Sequence, residues 1–346
     1  MKVDYIVVGL GLAGVSFCEQ LKAHKKSFVV FDNSSQQSSM VAGGLYNPVV
    51  LKRFTTVWKS KEQLDLALPL YAKIEKELGI QIDYKLPVYR KFASLEEQND
   101  WFGASDKLNL SEFLSPKIIK NNNLAIEASY GFGEVLHTGR IEVKTLIEAY
   151  VSDLKNKGAF YSDSFQYEDI RSKEEKLYYK GIQASNIVFS EGYGITKNPY
   201  FNQLPLNPAK GELLVIHAPE LQIDFVLKSA VFLIPMGEDL YIVGATYEWK
   251  DLSNQVSLKA KEDLLNKLKK IINCSFEVVD QVAGIRPTVK DRRPLVGRHQ
   301  EQKNMYVLNG LGTRGVMIGP YVAKQLFDFI EKNIPLDKEI NIDRFI

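Results

Sequence analysis

Three glycines at a fixed spacing, Gly9, Gly11 and Gly14, and one acid, Asp32, are the residues of this chain best suited to hold a phosphate-linked ligand. The first glycine permits a tight turn, the second lets backbone approach a pyrophosphate, and the third lets a helix pack closely on a strand. The free N–H groups at the start of that helix then face an anion. Asp32, eighteen residues beyond Gly14, stands where a carboxylate binds a ribose hydroxyl. The elements that must position these residues surround them. Tyr5-Ile6-Val7-Val8 reads as a strand, Val15, Phe17, Cys18 and Leu21 as the buried face of a helix, and Phe28-Val29-Val30-Phe31 as a second strand ending on Asp32. Strand, glycine turn, helix, strand and acid in this order predict a βαβ unit that binds FAD or NAD; the glycine spacing alone would suit any tight turn.

A second glycine-rich turn, Asn309-Gly310-Leu311-Gly312-Thr313-Arg314-Gly315, joins a strand at Met305–Leu308 to a long helix from Val316 to Lys332. In a flavoprotein, such a helix start can place its partial positive charge against the pyrimidine edge of the flavin and stabilise the reduced anion. Simple packing is the alternative. Between the two turns, apolar spacing predicts a helix from Lys59 to Leu78, broken near Leu68-Pro69, a strand at Val88–Phe92, and a helix from Ile141 to Lys157 capped by Gly158. A hairpin follows around Leu177–Gly181, then a buried strand, Asn186–Gly192. Residues 205 to 250 hold strand-like runs at Glu212–Ile216, Phe225–Leu227, Val231–Ile234 and Leu240–Val243, a spacing that argues for an antiparallel sheet. A lysine-rich helix over Leu258–Ile272 reads as a solvated surface helix rather than a nucleic-acid patch.

Composition sets bounds. At 346 residues, 45% of them hydrophobic, the chain can bury a large core and form two lobes, and a net charge of +2 is too small to argue for a nucleic-acid partner. Cys18 and Cys274 are lone cysteines, and the four scattered histidines make no metal-ligand pattern, so no metal is expected and a reduced, cytoplasmic compartment fits. No apolar run reaches about eighteen residues, and no membrane span is expected.

Taken jointly, several motifs resemble those of FAD-dependent oxidoreductases of the D-amino-acid oxidase and glycine oxidase type, over essentially the whole chain. They are the first glycine turn with Asp32, the loop Ser38-Ser39-Met40-Val41-Ala42-Gly43-Gly44-Leu45-Tyr46-Asn47-Pro48, Ser190-Glu191-Gly192, Gly211-Glu212, Gly244-Ala245-Thr246, Gly284-Ile285-Arg286-Pro287 with Asp291 and Pro294, and Asp343-Arg344-Phe345. The segment Gly284 to His299 resembles glycine oxidase. Gly43–Tyr46 and Gly310–Gly315 resemble the oxidoreductase half of the bacterial enzyme that makes 5-methylaminomethyl-2-thiouridine in tRNA. Both relatives oxidise a C–N bond next to a carboxylate.

The resemblance implies an α/β fold with a Rossmann-like FAD-binding domain (1–58, 140–200 and 281–346) and an inserted antiparallel-sheet substrate domain (59–139 and 201–280). It implies FAD contacts at Gly9, Gly11, Leu12, Ala13, Gly14, Asp32, Asn33, Ser39, Gly43, Gly44, Leu45, Ser190, Gly192, Gly284, Arg286, Gly310, Gly312, Thr313, Arg314, Gly315 and Val316. The flavin is expected to be non-covalent, because relatives with a covalent flavin use a cysteine near the Gly284–Arg286 motif. Arg286 is implied to bind a substrate carboxylate through its planar fork, with a structural salt bridge as the alternative, and Arg314 is a second candidate. Tyr46 is a third pocket residue, with packing as its alternative. Glycine oxidase has its own second arginine where this chain has Thr313, and a tyrosine where it has Phe232, departures that put free glycine in doubt. The implied activity is FAD-dependent oxidation of an amino acid or N-substituted glycine by hydride transfer to flavin N5. The alternatives are oxidation of a carboxymethylaminomethyl group on a tRNA wobble uridine, and a noncatalytic flavin-stabilised interaction module.

Overall fold

The computed structural model describes residues 1–345, which build two eight-stranded sheets. In the first, Lys2–Val8 lies between Phe28–Phe31 and Ile182–Phe189, parallel to both. Phe160–Tyr161 and Met305–Asn309 extend it in parallel on either side, and Leu295–Arg298 closes one edge antiparallel. The hairpin expected around Leu177–Gly181 is Lys176–Tyr179 turning at Lys180-Gly181 into the start of Ile182–Phe189, and Arg171–Lys173 pairs antiparallel on the other edge of Lys176–Tyr179. A parallel sheet must be covered on both faces. Tyr5 and Val7 accordingly join the core that includes Leu12, Val15, Val316 and Val322, while Ile6 and Val8 join a second core with Phe31, Phe189 and Val307. Helices Leu12–Ala23 and Ser60–Leu78 both pack on Gly315–Lys332.

The second sheet runs Glu277–Arg286, Ala209–His217, Leu240–Gly244, Phe232–Gly237, Val226–Lys228, Val88–Lys91, Phe132–Val135, Leu114–Ile119. All its neighbours are antiparallel except Val226–Lys228 and Val88–Lys91, which run parallel. That pair is where strands from the two separate excursions of the chain meet. Helix Leu258–Leu268 covers one face, with Leu264 and Leu268 buried among Leu214, Ile216 and Leu233.

Two helix expectations are corrected, one helix had no expectation, and one expected domain boundary divides a strand. Ser60–Leu78 is one unbroken helix despite Pro69. Pro69 and Asp65 lie on the solvent side, where water can satisfy the carbonyl that proline leaves free, while Leu64, Ala67, Tyr71 and Ile74 hold the other face in the core. The lysine-rich helix stops at Leu268, and Ile271 and Ile272 reach the core from the turn that follows. Helix Leu95–Ser105 was not anticipated, although Ser94, whose hydroxyl accepts from the Glu97 N–H at 3.2 Å, marks its start. Finally, the boundary drawn at residue 281 falls inside the strand Glu277–Arg286, so this strand belongs to the second sheet as far as Arg286. The helix expected over 141–157 is Val143–Asn156, and Gly158 has the predicted positive φ of 66°.

Candidate active site

A cavity of about 980 Å³ is lined from both sheets. At one end stands the first glycine turn. Gly9 has φ +94° and donates to the Phe31 carbonyl at 2.8 Å, and a Cβ there or at Gly14 would strike backbone. Gly11 faces the cavity in an extended conformation. The nearest atom to a Cβ added there is Ser39 Oγ at 2.9 Å, and this hydroxyl accepts from the Leu12 N–H at 3.2 Å. Asp32 lines the same end, its carboxylate accepting from the N–H groups of Leu10 (2.5 Å) and Ser34 (2.6 Å). Ser190 Oγ is buried with no hydrogen-bond partner among the described residues, and Ser190 too lines the cavity. Beside it the Glu191 carboxyl is raised above its ordinary pKa by burial, although the Tyr167 hydroxyl (2.5 Å) and the Asn198 amide (2.7 Å) both donate to it.

The middle of the cavity is built from glycine-rich backbone. Gly44 has φ +71° and packs under the Ile141 carbonyl, Gly284 backs onto Val41 and Ser38, and Gly312 to Val316 bring the start of helix Gly315–Lys332 to the wall. At the far end lie both predicted arginines. Arg286 Nη1 donates to the Thr246 carbonyl at 3.2 Å, the guanidinium covers Gly211 so closely that a Cβ there would overlap it, and Tyr247 lies over it at 4.5 Å from the ring centroid. Arg314 Nη1 donates to the Asn47 carbonyl at 2.9 Å. Burial lowers the pKa of both groups, which stay charged. Neither meets a carboxylate at ion-pair distance among the described residues, so the salt-bridge alternative for Arg286 does not describe the fold.

Of the residues expected at the site, all but three line this cavity. Gly14 and Gly310 serve the turns behind it, Gly310 with φ +72°. Tyr46 is turned away and buried; its hydroxyl donates to Asp83 at 2.8 Å and accepts from Lys85 at 3.1 Å. Strand Leu45–Tyr46 alternates its faces, so with Leu45 toward the cavity Tyr46 must point into the core. Sequence reasoning missed Tyr247, Lys228 and Lys267, all of which line the wall. None belongs to a spaced motif. Gly211 was quoted only as part of a resemblance, although a glycine in a strand interior is itself a signal of close approach.

The walls suit FAD. Gly11 leaves room at backbone level, the Ser190 hydroxyl lacks a partner, and a helix start with free N–H groups reaches the centre of the cavity. A parallel sheet with a glycine turn after its central strand, joined to an antiparallel sheet that closes the cavity, defines a two-lobed flavoprotein. Residues 4–329 match the family described as FAD dependent oxidoreductase, and the chain belongs to it. It is similar to the glycine oxidase of Bacillus subtilis, with 24% identity covering 99% of this chain and 96% of that one. Over 39% of its length it is 30% identical to the tRNA 5-methylaminomethyl-2-thiouridine biosynthesis bifunctional protein of Thiobacillus denitrificans, of which it covers 24%. Among solved structures, glycine oxidase from Geobacillus kaustophilus superposes with a TM-score of 0.80 at 19% identity, covering 99% of this chain and 98% of that one. Iminodiacetate oxidase from Chelativorans sp. BNC1 superposes with a TM-score of 0.77 at 16% identity, covering 97% and 98%. The protein is an FAD-dependent oxidoreductase of the glycine oxidase-like kind. No helix among the described residues is long and apolar enough to cross a membrane.

Proposed function

We propose that the protein oxidises the C–N bond of an amine that carries a carboxylate on the adjacent carbon, an amino acid or an N-substituted glycine. The observation that carries this reading is the pair of half-buried guanidinium groups, Arg286 and Arg314, in one cavity with no carboxylate partner among the described residues. An unpaired buried charge is costly, and a substrate carboxylate supplies what is missing. The planar fork of Arg286 pairs with both oxygens and so aims the substrate, while its backbone bond to Thr246 and the Tyr247 ring hold the fork in place. Leu213, Phe232, Ile234 and Ile242 give this end apolar walls that exclude water. Residues around Gly9 to Gly14, Asp32, Ser190 and Gly312 to Val316 would hold FAD, which when bound supplies the two-electron acceptor, taking hydride from the α-carbon. The cations nearby disfavour an ammonium, so the substrate nitrogen loses its proton to solvent more easily and needs no dedicated protein base. The imine product is then hydrolysed by water.

A second reading, oxidation of a carboxymethylaminomethyl group on tRNA, is favoured by one observation. Tyr247 is 54% exposed and Trp249 58%, and their rings stack at 6.0 Å beside Arg286. Exposed aromatic faces suit an unstacked base. Anaerobic bleaching of the flavin by N-substituted glycines, amino acids and undermodified tRNA, measured in parallel, tests both readings. Bleaching by the small amines supports the first, bleaching by tRNA alone replaces it with the second, and bleaching by none overturns both.

A further inference from the structure

Lys228, on the same cavity wall, is a cation without a counter-ion among the described residues. It stands directly opposite Phe232 in the strand register, and its ammonium lies 4.4 Å from the centroid of that ring. It lines the cavity together with Lys267 of helix Leu258–Leu268. The neighbouring strand Val88–Lys91 brings Arg90 to the same register position. The acids in this region are already engaged, Glu97 with Arg90 at 2.6 Å and Asp263 with Lys267 at 2.6 Å, and neither is within ion-pair distance of Lys228. The three acids of the cavity wall, Asp32, Asp163 and Glu191, all belong to the nucleotide end, and none lies on the antiparallel sheet.

We propose that the substrate is an elongated amine with a second anionic group, and that this group binds Lys228 at the opposite side of the antiparallel wall from Arg286. The inference rests on the carboxylate reading of Arg286 and goes beyond it. Gly211, on which the Arg286 guanidinium sits, and Lys228 lie on strands three steps apart in the sheet, roughly 14 Å before the lysine's own reach is counted. A molecule as short as glycine cannot touch both. Burial, with repulsion from Arg90 and Lys267, pushes the Lys228 ammonium down to about 8, so in the free protein it is charged against its surroundings at neutral pH. An anion relieves both effects. The second group is a carboxylate or a phosphate ester, and the two are told apart by probe.

The test uses ether analogues of the substrate, in which oxygen replaces the amine nitrogen and no oxidation follows. (Pentyloxy)acetic acid carries one carboxylate, 5-(carboxymethoxy)pentanoic acid adds a second at the far end of the same chain, and a third analogue carries a phosphate ester there. Dissociation constants are read from the perturbation of the flavin spectrum in the holoenzyme. At pH 7 one of the two dianionic analogues is expected to bind about ten-fold more tightly than the monoacid or better, the ratio of a charge-assisted contact. Lys228→Met collapses that ratio toward one, and Lys228→Arg restores much of it, which loss of folding would not do. If the monoacid binds and neither dianion gains, or if the gain survives in Lys228→Met, this inference is overturned while the Arg286 reading stands. If neither class binds, the Arg286 reading fails and takes this inference with it.

Discussion

The two ends of the cavity are built by opposite means. At the end built on the first glycine turn, the wall is largely backbone: Gly9 and Gly11 bring the chain in without side chains, a helix starts at the wall, and the polar side chains include Asp32, Ser39, Ser190 and Glu191. At the other end stand cationic side chains without an acid partner among the described residues: Arg286 and Lys228 on the antiparallel sheet, which contributes no acid to the wall, and Arg314 at the start of helix Gly315–Lys332. A backbone cradle tolerates sequence change except at the glycines. A charged pocket is tuned one side chain at a time. Thr313 and Phe232, the two positions where the resemblance implies a departure from glycine oxidase, both line this cavity.

The largest effect is expected from damage to the cradle. Gly11 has φ −73° and ψ −168°, a conformation open to any residue, so Gly11→Val should fold with an unchanged circular dichroism spectrum and purify colourless, its side chain filling the pyrophosphate position. Retention of stoichiometric FAD would mean that the cofactor lies elsewhere. In the parent, acid precipitation should release all the colour into the supernatant, since no cysteine among the described residues lines the cavity; colour held in the pellet would show a covalent flavin.

Next in size is the charged end. Arg286→Leu keeps aliphatic bulk and removes the fork, and should cost roughly 1.5–3 kcal/mol, or about ten- to a hundred-fold in kcat/KM for a carboxylate-bearing amine. Arg286→Lys should recover part of this, because an ammonium lacks the planar geometry. Flavin reduction rates for amines with and without the carboxylate decide the matter: an equal loss for both would make Arg286 a structural residue. A smaller effect is a pH dependence confined to substrates with two anions. Because the Lys228 pKa is lowered to about 8, its charge is present below that pH and lost as the pH rises through it. The advantage in kcat/KM of a dianionic amine over its monoanionic counterpart should therefore shrink between about pH 7 and pH 9. In Lys228→Arg it should stay level, and a parent ratio that does not change with pH would remove the lysine from the contact.

The smallest change concerns the tyrosine that the fold turns away. Tyr46→Phe leaves Asp83 with one fewer donor beside buried surface, and should lower stability by about 1–2 kcal/mol, seen as a drop of a few degrees in Tm. Flavin reduction should stay within about two-fold. A large loss of activity without a change in Tm would return Tyr46 to the pocket.

How far each end could be read in advance follows from how local its determinants are. The first strand, the glycine turn, the helix and Asp32 lie within 32 consecutive residues, and their spacing and apolar periodicity carry the βαβ unit without help from the rest of the chain. The second glycine turn and its helix are equally local, and the structure places that helix over Gly315–Lys332, one residue from the expected start. Helix Leu95–Ser105 and the strands Leu114–Ile119 and Phe132–Val135 went unseen because their apolar residues are sparse and their stability comes from one another: Trp101 donates to the Ser115 carbonyl at 2.8 Å and stacks edge-on with Phe92.

By itself, then, the sequence determined the glycine cradle and its acid, since turns, helix starts and strand alternation are set by neighbours in the chain, while the two arginines were picked out only through the resemblance. Only the tertiary structure decided what those arginines lack. Arg286 sits on Gly211 and bonds to Thr246, and Arg314 bonds to Asn47, 267 residues away, with no acid delivered to either among the described residues. The same holds for Lys228, an ordinary lysine at the end of a short strand until the sheet sets Phe232 and Arg90, and helix Leu258–Leu268 sets Lys267, around it. Charge without a partner is a property of a place in the fold, and no spacing along the chain records it.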